Sequence, residues 1–239
     1  MKWIEDIGKD LLNHSRVAKM IHYLQNRNNK DAVFIWIPKN AGTSIYKTLK
    51  KHGCLKAKKL PRVKYRFSRK GLVTFAHMDY ARLVKEGYIS ESFDRQAFKF
   101  CFSRNPYDRA ISLYEYFKDS FSNPISFPEF IKMISDKGVK PIGLFNSEGL
   151  SSCNPQVRWV ENIQIDYCGK FENLQDDFNA VLQKLELPEV RLKHLNRSER
   201  SKIPDYYDLE TKKRVEEYYY EDFEFFNYPL ESDSILSGK

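Results

Sequence analysis

The stretch Val33–Leu49, VFIWIPKNAGTSIYKTL, constrains the fold more than any other part of this chain. It opens on an apolar run, Val33–Ile37, rich in β-branched and aromatic residues. Such a run predicts a strand covered on both faces, as the strands of a parallel sheet are. Pro38 ends the run, because it has no N–H to donate to a neighbouring strand. Lys39, Asn40, Ala41, Gly42, Thr43 and Ser44 follow, and then a helical pattern in which Ile45 and Leu49 fall four residues apart. A strand, a loop of Lys, Gly and hydroxyls, and a helix N-terminus together suit a phosphate. Free N–H groups and the positive end of the helix dipole point at the anion, and Lys39 adds a full charge. The loop lacks the G-x-x-x-x-G-K-[ST] spacing, so ordinary ATP chemistry is not the first expectation. The alternative reading of residues 39–44 is an ordinary connection between a strand and a helix.

Further along, Leu72–Ala76 reads as a short strand ending at His77, followed by a helical stretch Tyr80–Glu86. Gln96–Ser103 predicts the next buried strand, broken by Arg104-Asn105-Pro106. A helix over Tyr107–Lys118 follows, with Pro106 near its first position and Ala110, Leu113, Tyr114 and Phe117 on one face. A short helix is predicted at Phe127–Ile134, a mobile surface segment at Gly138–Cys153, and a helix from Asn154-Pro155-Gln156 through Asn162. A strand at Ile163–Cys168 and helices at Phe171–Leu187 and Leu209–Asp222 complete the pattern. Strands alternating with helices predict a single α/β domain with an open parallel sheet. The expected organisation is an amphipathic helix and connector at 1–30, a catalytic domain at 31–230 and a tail at 231–239.

Composition narrows the class. A hydrophobic share of 41% and an aromatic share of 15% are those of a folded globular protein. No apolar run is long enough for a membrane span, and acids and bases stand too early for a signal peptide, so a cytoplasmic location is expected. The cysteines Cys54, Cys101, Cys153 and Cys168 lack metal-ligand spacing, and no Cys/His cluster predicts a metal site. The net charge of +8 is concentrated: Lys50–Lys70 holds ten Lys or Arg and no acid. That run is either a solvated loop or a patch for an anionic partner.

The second candidate site is CFSRNPYDRAISLYEY, residues 101–116. Arg104 falls at the carboxyl end of a predicted strand, where ligands of open α/β sheets bind. Ser112 follows eight residues later, so the guanidinium and the hydroxyl can face one phosphate. Arg109 is a further possible contact, and a capping or ion-pair role for Arg104 is the alternative.

IPKNAGTS together with SRNPYDRAISLYEYF resembles the pair of cofactor motifs of sulfotransferases that use 3′-phosphoadenosine 5′-phosphosulfate (PAPS). The chain is similar in particular to the carbohydrate branch that includes the heparan sulfate 2-O-sulfotransferases. The similarity continues through Asn154-Pro155-Gln156, GKFENL (169–174), His194-Leu195-Asn196 and EDFEFF (221–226). The resemblance implies a P-loop-type α/β fold, with the Lys39–Ser44 loop on the 5′-phosphosulfate and Arg104 and Ser112 on the 3′-phosphate. It implies in-line sulfuryl transfer to a carbohydrate hydroxyl, 3′,5′-ADP as the product, and no metal. Lys39 would stabilise the departing phosphate. His77 would be the general base, with Asp79 or Glu115 as alternatives. The acceptor would lie near residues 50–71, an acidic glycan if the basic run faces it, and no nucleic acid is expected. Two other classes fit parts of the pattern: a nucleotide kinase or NTPase with a degenerate loop, and a non-catalytic basic module binding glycan or nucleic acid.

Overall fold

The computed structural model describes residues 30–57, 71–136, 146–147, 150–192 and 206–231. The expected N-terminal helix, most of the basic run, His194-Leu195-Asn196 and the tail lie outside the described residues. Five parallel strands form the sheet: β1 (Ala32–Phe34), β2 (Leu55–Lys56), β3 (Leu72–Thr74), β4 (Phe98–Ser103) and β5 (Tyr167–Lys170). Their spatial order is β2-β3-β1-β4-β5. The helices are α1 (Gly42–Lys51), α2 (Tyr80–Lys85), α3 (Glu91–Gln96), α4 (Pro106–Phe117), α5 (Phe127–Ser135), α6 (Leu174–Lys184), α7 (Leu209–Tyr218) and α8 (Tyr220–Phe225).

The period of two along a strand explains the apolar runs. Ala32, Phe34 and Trp36 pack with Phe100 and Phe102 against α1 and α6, through Ile45, Leu49, Phe178 and Val181. Val33, Ile35 and Ile37 pack with Cys101 and Val73 on the opposite layer, which includes Leu83, Ala110, Phe130 and Phe223. Every residue of β1 is therefore covered, whichever face it points to. The α/β parallel fold expected from the sequence is the one observed.

Several boundaries differ from expectation. Hydrogen-bonded pairing of β1 stops at Phe34, although Ile35 still donates to Phe100 O at 2.9 Å. The segment after Asn154 forms only a 3-10 turn, Gln156–Trp159, and the following strand begins at Tyr167 rather than Ile163. The ladder with β4 starts there because Asp166 and Lys99 exchange hydrogen bonds just before it, Asp166 N to Lys99 O and Lys99 N to Asp166 Oδ2. The final helix is two, α7 and α8, parted at the buried Tyr219. Residues 152 and 153, expected within a mobile segment, are buried in the core.

Chain order places the site. From β1 the sheet extends through β3 on one side and β4 on the other, so the loops leaving β1 and its two neighbours diverge at the carboxyl edge. Open α/β sheets bind ligands at such a switch point. Lys39, His77 and Arg104 stand on these three exits.

Candidate active site

The loop after β1 has an unusual backbone. Lys39 and Ala41 have positive φ, 71° and 59°, and Ala76 on the β3 exit has φ 55°. Non-glycine residues reach this left-handed region at a cost, and they concentrate where surrounding structure enforces them, often at functional sites.

Helix α1 begins at Gly42 directly after Ala41. Ala41 O accepts from Ser44 N and Ile45 N, while no side chain caps the helix and no acid lies in its first turn. The other described helices are treated differently. Asp79, Ser90, Asn105, Ser126 and Asp208 cap α2, α3, α4, α5 and α7 through side-chain oxygens. The remaining two, α6 and α8, carry acids in their first turns. Among the described helices α1 alone has neither a capping side chain nor a first-turn acid beside its dipole and leading N–H groups. Those are the groups that take an anion.

Gly42 also matters for space. A Cβ built on it would lie inside the Trp36 indole. Trp36 in turn stacks on Tyr46 at 5.6 Å, and Lys56 Nζ sits 3.7 Å from its ring centre. Gly42→Ala should therefore displace the indole and destabilise the fold by about 1–3 kcal/mol. A denaturant titration measures this; a change below a few tenths of a kcal/mol would mean the indole moves aside without loss.

Asn40 is 1% exposed and turns its amide inward, donating to Phe102 O at 2.6 Å and to Gln156 Oε1 at 2.7 Å. Gln156 Oε1 also accepts from Arg104 N at 3.0 Å, and its amide donates to Arg104 O at 2.8 Å. Asp222 completes the network, accepting from Gln156 N at 2.8 Å and Val157 N at 2.9 Å. Burial holds the Asp222 carboxyl above its ordinary pKa, with Arg109 and the donated hydrogen bonds acting the other way. One buried network thus fixes the β1 and β4 exits against each other. The side chain of Asn40 belongs to this scaffold.

Arg104 is 2% exposed. Its Nε donates to Asp108 Oδ2 at 2.7 Å, one terminal nitrogen donates to Lys39 O at 2.9 Å, and Phe171 lies under the guanidinium at 4.0 Å. Burial of a charge is tolerated here because an opposite charge and a carbonyl receive it. Arg109 is fully buried and donates to the carbonyls of Pro38, Ser152 and Asn154. Through those three carbonyls it braces the loop from beneath.

Asp108, Ser112 and Tyr116 repeat at four-residue intervals and so share one stripe of α4. Lys39 meets this stripe at both ends, its carbonyl on Arg104 and its Nζ 4.0 Å from the Tyr116 ring centre. The buried Ser112 lies between those ends, and Thr43 and Ser44 follow Gly42 in the first turn of α1.

His77 is held by the β1 exit. Its Nδ1 lies 2.8 Å from Trp36 O, its ring stands edge-on to Trp36 at 5.1 Å, and its own carbonyl accepts from Trp159 Nε1 at 3.1 Å. A carbonyl only accepts, so Nδ1 carries the proton and the neutral ring has its lone pair on Nε2. Of the alternative bases, Asp79 caps Arg82 N at 3.1 Å, and Glu115 accepts from Lys118 and Tyr206.

The residues that sequence reasoning did not single out are Gln156, Asp222, Glu172 and Tyr116. Glu172 accepts from Asn105 N at 2.7 Å and from Tyr228 OH at 2.9 Å. Three of them fall in the secondary blocks around 154–156, 169–174 and 221–226, so the signal was there without its physical meaning. Among the described residues no group of three or more His, Cys, Asp or Glu could hold a metal, and no helix is long and apolar enough to cross a membrane.

The model of the sulfotransferase family matches residues 22–229. An uncharacterized protein of Archaeoglobus fulgidus is 33% identical over 91 residues, which cover 38% of this chain and 68% of that protein. A mouse sulfotransferase complexed with PAP is similar in structure at TM-score 0.54 and 13% identity, over 82% of this chain and 85% of its own. A sulfotransferase from Alicyclobacillus acidocaldarius gives TM-score 0.50 and 14% identity, over 85% and 98%. At these identities the two structures establish the shared fold.

Proposed function

Because the chain belongs to the sulfotransferase family, we propose that it transfers a sulfuryl group from PAPS to a hydroxyl of a carbohydrate acceptor. The observation that carries this reading is the pairing of α1, whose N-terminus has neither cap nor first-turn acid, with the rigidly held Arg104 on the next strand exit. Two separate positive positions on one edge of the sheet support a ligand with phosphate groups at both its 5′ and 3′ positions.

When bound, the cofactor supplies an activated sulfuryl group on its 5′-phosphate. The chain's part is to hold and orient. The backbone of Asn40–Thr43, with the hydroxyls of Thr43 and Ser44, would receive the 5′ end. Arg104, pre-set by Asp108 and Phe171, would receive the 3′-phosphate with Ser112. Lys39 would stabilise charge that grows on the departing phosphate oxygen. Nε2 of His77 would take the acceptor proton as the acceptor oxygen bonds to sulfur and the sulfur–phosphate oxygen bond breaks. Lys56, placed over the Trp36 ring that also borders His77, supports an acidic group on the acceptor.

The testing experiment is calorimetric binding of 3′,5′-ADP, with 5′-ADP and ATP as controls. Micromolar binding that disappears without the 3′-phosphate is expected. Arg104→Ala should weaken it about 10- to 100-fold, the value of a hydrogen bond to a charged group. Arg104→Lys should fall between, since it keeps the charge without the planar fork. Equal binding of ATP and 3′,5′-ADP would overturn the cofactor reading in favour of a nucleotide kinase. Transfer to glycan acceptors bearing and lacking acidic groups then tests the acceptor class.

A further inference from the structure

We propose that Cys101 and Cys168 form a site of reversible thiol oxidation, at which exposed Cys168 reacts first with a peroxide and buried Cys101 then closes a cross-strand disulfide. The two are register partners on the adjacent parallel strands β4 and β5. Register partners project to one face, and a strand spacing of about 4.8 Å falls inside the roughly 4.4–6.8 Å between Cα atoms that a disulfide spans. The Cys168 thiol itself lies 3.8 Å from Gly169 O, at the same edge of the ladder. Cys101 is 0% exposed, whereas Cys168 is open to solvent.

The other thiols mark the contrast. Cys54 and Cys153 are buried, and burial pushes both thiols up, Cys153 to about 12. Cys168 moves the other way: the hydrogen bond from Cys101, helped by Ser103, holds it below the ordinary thiol value against the opposing effect of burial. An exposed sulfur beside a second thiol, with its own thiol held on the acidic side of the ordinary value, is the arrangement that oxidises selectively.

The chemistry balances with hydrogen peroxide as oxidant. The Cys168 thiolate attacks one peroxide oxygen; an S–O bond forms, the O–O bond breaks, and the departing hydroxide takes a proton to become water. The Cys101 sulfur then attacks the sulfenic sulfur; the S–S bond forms, the S–O bond breaks, and the second hydroxide leaves with the Cys101 proton as water. The two sulfurs give up two electrons and the peroxide gains them. The site lies close to the cofactor edge. Strand β4 runs directly into Arg104 and β5 into Phe171, the ring beneath its guanidinium. A bridge would tie together the two strands that carry this contact.

The inference is independent of sulfuryl transfer. The full chain, reduced and then exposed to hydrogen peroxide, is assayed for free thiols after denaturation and mapped by mass spectrometry. The four thiols should fall to two, with a Cys101–Cys168 peptide pair that dithiothreitol separates. Cys168→Ser should slow thiol loss at least tenfold. Cys101→Ser should stop at a Cys168 sulfenic acid that dimedone labels. Wild-type protein that retains all its thiols, that loses Cys54 or Cys153 as fast, or that carries Cys168 to sulfinic acid while Cys101 stays a thiol, overturns the proposal.

Discussion

Lys39→Ala should lower kcat for sulfuryl transfer by about 10³-fold, the upper range for removing one electrostatic donor from a transition state. The fold should survive the change. Lys39 is half-buried, and its ammonium lies on the face of the exposed Tyr116 ring, a contact worth about 0.5–1 kcal/mol at such a site. What Lys39 gives the scaffold is its carbonyl, which receives Arg104, and alanine keeps that carbonyl. Its positive φ is no worse for alanine than for lysine. The test therefore pairs kcat with thermal unfolding and 3′,5′-ADP binding. A near-normal rate in a folded Lys39→Ala protein would remove lysine from the transition state.

The parts of this site that were legible in the sequence are those whose signal is local. Val33–Ile37 reads as a strand because both faces are covered, and Pro106 starts α4 because a first-turn residue needs no N–H. Lys39–Ser44 reads as the connection into a helix, and α1 begins there at Gly42. The failures have a common cause in partners distant along the chain. Residues 154–162 carry a helical pattern, yet Gln156 N and Val157 N go to Asp222, and Trp159 Nε1 goes to the His77 carbonyl. Tertiary bonds of that kind override local propensity. The same Asp222 explains the broken final helix: the chain turns at Tyr219, whose hydroxyl reaches Cys153 O at 3.0 Å, and α8 then brings the carboxylate to Gln156. The bracing role of Arg109 was hidden for a related reason: the three carbonyls that receive it come from two separate loops that sequence order does not bring together.

His77→Ala should lower kcat by about 10²–10⁴-fold while 3′,5′-ADP affinity stays within about twofold, because the proposed role of the imidazole is toward the acceptor proton and not the cofactor. Tautomer control gives the imidazole this role. Trp36 O fixes the proton on Nδ1, and the edge-on indole and the Trp159 bond fix the ring and its backbone. A neutral ring in that setting presents Nε2 as its basic atom, and orientation of this kind is what separates a base from a buried packing histidine. The sign with pH follows directly. Protonation fills Nε2, so the wild-type rate should fall as pH drops through the imidazole titration, and the His77→Ala rate should lose that acid limb. His77→Asn gives a second check, since an amide can still donate to Trp36 O but has no comparable base to offer. Asp79 and Glu115 are poor substitutes, one tied to the α2 cap and the other to Lys118 and Tyr206. A His77→Ala enzyme that kept both its rate and its acid limb would remove His77 as the base. The proton would then have to pass to one of those carboxylates, to another group or to solvent.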